Sequence, residues 1–164
     1  MENPSWSCCS DWCLDCVLQC YKFILVLNHF ERSFVIKKPI NEVFYLLSDV
    51  DKYQNFIPFC KSSKILELQD DYIIAQLTLD FFGIENSFIT KNVIKKNETI
   101  IMDLQDGPFK TFHAIWLFES ITNRSTQLDF QMDYELNNPL LEFAFKKNLN
   151  SVSDLIVNAF KEKL

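Results

Sequence analysis

The chain of 164 residues holds 16 phenylalanines and only two glycines, and its net charge is −6. So much aromatic content excludes an intrinsically disordered chain, and the length allows one domain plus a short leader. The acidic balance, with no basic block longer than two residues, argues against a concentrated phosphate-binding surface and so against nucleic acid as a partner.

Residues 1–28 differ from the rest. Five of the six cysteines fall there, at Cys8, Cys9, Cys13, Cys16 and Cys20, and Cys60 stands alone. A disulfide framework would spread its partners through the domain, so the body reads as reduced and intracellular. The apolar stretch from Cys16 to Leu27 covers 12 residues and contains Gln19 and Lys22, too short for a membrane span of about 20. Glu2, Asp11 and Asp15 precede it and the first arginine is Arg32. That pattern fits neither a secretory signal nor an arginine-rich mitochondrial presequence. Cys13 and Cys16 have the spacing of half a zinc site, but no second pair follows, and no metal site is expected. Thiols beside an apolar stretch also suit S-acylation. The segment reads as a targeting or poorly ordered leader, followed by one domain over 29–164.

From Phe30 onward the periodicities are clear. A first strand ends over Phe34–Lys37, and Pro39 then suits the first turn of a helix. Ile40, Val43, Phe44 and Leu47 give that helix one apolar face. A short second helix is expected over Asp51–Phe56, stopped by Pro58. About six strands follow. Over 72–81, Ile73, Ala75, Leu77, Leu79 and Phe81 point one way. Over 84–94 the phase rests on Ile84, Phe88 and Ile94, with polar interruptions. Ile100, Met102 and Leu104 come next, and Asp106-Gly107 supplies a tight turn. Phe112, Ala114, Trp116 and Phe118 form another inward face. Over 127–136, Leu128, Phe130, Met132, Tyr134 and Leu136 alternate with polar residues, as in an antiparallel sheet with one wet face. Pro139 opens a helix to about Lys161, striped by Leu141, Phe145, Leu149, Val152, Ile156 and Phe160. The dry face of the sheet needs a cover, and only this helix is long enough. The expected fold is therefore α+β: a curved antiparallel sheet gripping a long C-terminal helix, with an apolar hollow between them.

The order resembles the START-like (polyketide cyclase/dehydrase) superfamily. Within it the chain is similar to the coenzyme Q-binding family and its bacterial relatives, the ribosome-association toxins. Ser48-Asp49-Val50-Asp51-Lys52-Tyr53 through Phe56-Ile57-Pro58-Phe59-Cys60 carries the resemblance, together with Asp103-Leu104-Gln105-Asp106-Gly107-Pro108-Phe109, Trp116-x-Phe118 and Pro139-Leu140-Leu141. It covers roughly 29–162; the acidic leader and the low glycine count depart from typical members. Membership implies that ubiquinone, or a prenylated precursor, is carried as ligand at the matrix face of the mitochondrial inner membrane. It also implies peripheral membrane contact, support for ubiquinone synthesis and respiration alongside the complexes responsible, and no catalytic cofactor.

The candidate ligand contacts are Leu77, Leu79, Phe81 and Phe88, then Met102, Leu104, Phe112 and Trp116, then Phe130, Met132 and Tyr134. From the helix come Leu141, Phe145, Leu149, Val152 and Ile156. Phe56, Pro58 and Phe59 are candidates for a tunnel mouth, and Tyr53, Tyr134 and Cys60 for hydrogen bonds to a quinone head. Each residue suits ordinary core packing equally well. No Ser-His-acid set, HExxH motif or P-loop is present, so no catalytic residue is expected. A ribosome-binding module and an aromatase/cyclase-like enzyme are the competing readings.

Overall fold

The computed structural model describes residues 28–81 and 83–164, without the side chain of Phe81. The leader and its cysteines lie outside the described residues. Seven strands form a single antiparallel sheet: β1 (Asn28–Ile36), β2 (Cys60–Leu68), β3 (Tyr72–Phe81), β4 (Ile84–Lys95), β5 (Thr99–Asp106), β6 (Phe109–Thr122) and β7 (Ser125–Leu136). Their lateral order is β1-β7-β6-β5-β4-β3-β2. The helix α1 (Ile40–Ser48) and a 3-10 turn (Val50–Asn55) join β1 to β2, and α2 (Pro139–Lys163) ends the chain. This is the expected helix-grip architecture. The expected second helix is a single 3-10 segment, and β1 begins earlier than its apolar signal because Arg32 interrupts the alternation of Phe30, Phe34 and Ile36.

The period-two pattern is clearest in the last strand. In β7, Thr126, Leu128, Met132, Tyr134 and Leu136 are buried. The opposite face carries paired polar side chains: His29 and Asp133 are 2.7 Å apart across β1 and β7, as are His113 and Asp103 across β6 and β5. The hydrogen bond that His29 donates to Asp133, more than the charge of that carboxylate, raises the His29 pKa above the ordinary imidazole value.

One end of the dry face is filled conventionally. Val43, Phe44 and Leu47 of α1 pack with Ile36, Ile100, Phe118, Leu128 and Phe160. The other end is filled differently. Of the 25 residues of α2, only Phe160 is fully buried; Leu141, Phe145, Leu149, Val152 and Ile156 stay half-buried. Burying a large apolar side chain is worth about 1.5–3 kcal/mol, so a stripe held short of full burial marks space between helix and sheet.

Polar contacts hold α2 at one margin of the sheet. Asn138 caps it, its side-chain oxygen accepting from the Leu140 amide at 2.9 Å, with Pro139 in the first turn. Asn28 donates to Glu142 at 2.9 Å, Lys146 donates to Asn28 at 3.1 Å, and Arg32 donates to Asp154 at 2.6 Å. All three fasten the helix to the β1 edge. Among the described residues no helix is long and apolar enough to cross a membrane.

Candidate functional site

Between α2 and the concave face of the sheet lies a cavity of about 210 Å³. Leu77 and Leu79 of β3 and Phe88 of β4 form one wall. Met102, Phe112, Trp116, Phe130 and Met132 form the floor, and Phe145, Leu149, Val152 and Ile156 form the roof. Twelve of the residues read from the sequence thus meet around one space. Leu141 sits in a smaller adjoining hollow with Phe145, Pro108 and Phe109.

The remaining candidates fall elsewhere. Tyr134 is only 1% exposed and lies in the core with the Phe145 ring edge-on to it at 5.1 Å, so Phe145 takes the lining position. Leu104 is half-buried beside Thr90 in the β4–β5 ladder and does not reach the cavity. Phe81's side chain lies outside the described residues. Phe56, Pro58 and Phe59 do not line the cavity either; from that segment Ile57 and Tyr53 do. The Phe56 ring instead packs on Tyr53 and Phe160, 5.9 Å and 5.4 Å between centroids. Phe59 is exposed, with φ 65°, a bulky residue in left-handed backbone. Its carbonyl accepts from the Asp80 amide at 2.8 Å, pinning the start of β2 to β3.

The candidates for a quinone hydrogen bond are also redistributed. Tyr53 touches the cavity, but its hydroxyl donates to the Leu47 carbonyl. Burial, followed by the charge of Asp49, pushes that phenol far up in pKa, so it stays neutral. Cys60 is buried, its thiol raised in pKa chiefly by burial, and its sulfur contacts the Ser62 carbonyl at 3.5 Å rather than the cavity.

Sequence reading missed several wall residues. Phe30 and Phe34 were hidden by Arg32 between them, Phe109 by its place in a turn motif, and Ile57 by the aromatic residues around it. Phe160 belonged to the helix stripe already noted. Thr90 lines the cavity too, and as a polar residue in β4 it carries no apolar signal. The charged lining residue Arg32 is engaged by Asp154 and Ser153. The wall therefore offers hydrocarbon, aromatic faces and few polar atoms. It can desolvate an apolar ligand, but among the described residues it presents no paired acid and base.

Comparison with known proteins agrees with this geometry. The chain is 30% identical over 136 residues to the ribosome association toxin RatA of Escherichia coli, covering 83% of this chain and 86% of that protein. It is 28% identical over 139 residues to the coenzyme Q-binding protein COQ10, mitochondrial, of Dictyostelium discoideum, covering 81% and 67%. Among solved structures, an aromatase/cyclase of a Streptomyces species superimposes with TM-score 0.71 at 22% identity, covering 84% and 93%. A START superfamily protein of Mycobacterium smegmatis gives TM-score 0.72 at 19% identity, covering 82% and 95%. Residues 36–161 match the family model described as polyketide cyclase/dehydrase and lipid transport, and the chain belongs to that START-like family, as a relative of both RatA and COQ10.

Proposed function

We propose that this protein is a non-catalytic carrier of ubiquinone or a prenylated precursor, supporting quinone synthesis and respiration at the mitochondrial inner membrane. The observation that carries the proposal is the apolar cavity under a half-buried helix stripe. The similarity to a coenzyme Q-binding protein supports it. Each buried CH₂ is worth about 0.8 kcal/mol against water, so a five-carbon isoprene unit is worth about 3–4 kcal/mol. A bilayer offers a prenyl tail the same dryness. Transfer from lipid to cavity is then near balance, which lets a carrier release what it takes up. An apolar cavity of about 150 Å³ binds benzene, so 210 Å³ suits a ring or a short piece of prenyl chain. A longer tail continues outward along the α2 stripe.

The test is organic extraction of protein purified from its own cells, followed by mass spectrometry. A stoichiometric prenylated quinone is expected. Empty protein that also fails to bind added short-tail quinone would overturn the proposal.

A second reading rests on RatA proteins matching at 29–30% identity. Under it the chain is a ribosome-binding module. Co-sedimentation with ribosomal particles, surviving moderate salt and indifferent to quinone loading, is its distinguishing outcome.

A further inference from the structure

The inward face of β4 is unlike those of β3 and β5 on either side of it; buried Ser63 of β2 and Thr126 of β7 are polar too, but both are hydrogen-bonded. Where its neighbours place hydrocarbon, β4 points Asn86, Phe88, Thr90, Asn92 and Ile94 toward the interior, and Thr90 and Asn92 are 1% and 4% exposed. The Thr90 hydroxyl has no hydrogen-bond partner among the described residues, nor does the side-chain oxygen of Asn92. Of the two, Thr90 lines the cavity. A valine there would keep the shape without burying an unpaired hydroxyl, and that exchange is neutral or stabilising when nothing bonds the oxygen.

The backbone beside Thr90 is irregular as well. Ile89 pairs with Asp106 and Thr90 with Leu104, so Gln105 is an extra residue in β5 opposite this point. Bulges of this kind re-aim side chains beside functional sites. Three other polar lining side chains are engaged: Tyr53 donates to Leu47, Arg32 to Asp154, and Ser153 to Asn150; the Trp116 indole N–H stands on β6, with β5 between it and β4. Arg32 stands on β1, with β7, β6 and β5 between it and β4. Among the described residues no charged side chain lines the wall near Thr90.

We infer that Thr90 anchors the polar head of the carried lipid, through a hydrogen bond to an uncharged oxygen on the head ring. The head then lies against β4 and the hydrocarbon runs beneath α2. An anionic head is disfavoured, because a desolvated charge there would find no counter-charge. A quinone carbonyl would accept from the hydroxyl and a quinol would donate to it; the chemistry is shared. This inference rests on the carrier reading and adds the orientation of the ligand and a residue that selects it.

The experiment compares full-length wild type, Thr90→Val and Thr90→Ser by displacement of an apolar fluorophore. The competitors are a short-tail ubiquinone, its reduced quinol, and a headless isoprenoid hydrocarbon of similar length. Thr90→Val is expected to weaken binding of the quinone, the quinol or both about three- to tenfold, with hydrocarbon binding unchanged. Thr90→Ser should stay near wild type. Unliganded Thr90→Val should melt no lower than wild type, which separates lost recognition from lost folding. Whichever redox form loses more identifies the preferred head. Equal binding of quinone and quinol by wild type and Thr90→Val, or an equal loss for quinone and hydrocarbon, overturns the anchor. If wild type binds hydrocarbon but neither head-bearing lipid, the anchor fails while an apolar carrier survives. If it binds none of them, the carrier reading fails and the anchor with it.

Discussion

At the scale of single residues, the glycine in the β5–β6 turn shows how a family motif is explained by contact rather than by the turn alone. Gly107 has φ +144°, and a Cβ built on it would lie 2.6 Å from the Cβ of Phe88, a cavity wall residue. Phe88 is in turn ringed by Phe109 and Phe112 at 5.8 Å each. The turn therefore presses on the wall, and only glycine lets the backbone come so close. Gly107→Ala is expected to cost about 2 kcal/mol or more, through backbone strain and displacement of Phe88. It should also weaken quinone binding. Gly83 is the control: its φ is +80°, but none of the described residues other than its chain neighbours lies within 4 Å of where its Cβ would stand. Gly83→Ala should cost only the left-handed penalty of about 1–2 kcal/mol and leave binding intact. Denaturant midpoints at constant m-value, beside quinone titrations, check both. Asp106-Gly107 was legible in the sequence as a turn. The proximity of Phe88 was not, because no local pattern reports which side chain a turn will meet.

At the scale of elements, legibility followed the contrast between the two faces. β7 alternates apolar and polar residues cleanly, β3, β5 and β6 keep an unbroken inward apolar phase despite Ile74, Ile101, Ile115 and Leu117 on the outward one, and α2 carries an uninterrupted stripe, so these elements and their inward residues could be placed from the chain alone. β2 could not be recognised as a strand. It holds Lys61, Ser62, Ser63 and Lys64 in succession, lies at the sheet edge and carries two register shifts against β3. β4 was ambiguous because its dry face holds Asn86, Thr90 and Asn92. Ambiguity of that kind is expected where a function-bearing strand trades packing for polar chemistry. The α2 stripe was legible as apolar, but not as half-buried, since periodicity reports direction and not distance. That distance is testable. Val152→Phe, on the roof, should project a ring into the cavity and raise stability by about 0.5–2 kcal/mol, as cavity-filling substitutions commonly do. Quinone binding should be abolished in the same protein. A variant that melts higher and still binds the quinone would place the ligand elsewhere.

At the scale of the whole molecule, the α2 contacts are asymmetric, and that bears on how a lipid could leave. Asn28–Glu142, Lys146–Asn28 and Arg32–Asp154 hold one side of the helix to β1, and Phe160 locks its last turns into the core. The first turns are greasy on their outer side: Leu140 and Phe143 are 77% and 69% exposed. They stand beside Leu141 and Phe145, which line the smaller hollow at the β5–β6 turn. Lys147 follows one turn later, exposed. Apolar side chains backed by a cation suit the interface of an anionic bilayer, where a quinone carrier has to collect its cargo. Because uptake from lipid is near balance in free energy, such a contact should govern the rate of transfer rather than the affinity. Leu140→Ser combined with Phe143→Ser is therefore expected to leave quinone binding in solution unchanged. Each side chain is worth up to about 1.5–3 kcal/mol on leaving water, so transfer between anionic vesicles should slow by about tenfold or more. Stopped-flow transfer of quinone from donor to quencher-loaded acceptor vesicles reads that rate directly. A double variant that transfers as fast as wild type would move the membrane contact away from this end of the helix. One that loses solution binding as well would show these side chains to be part of the cavity rather than its outward face.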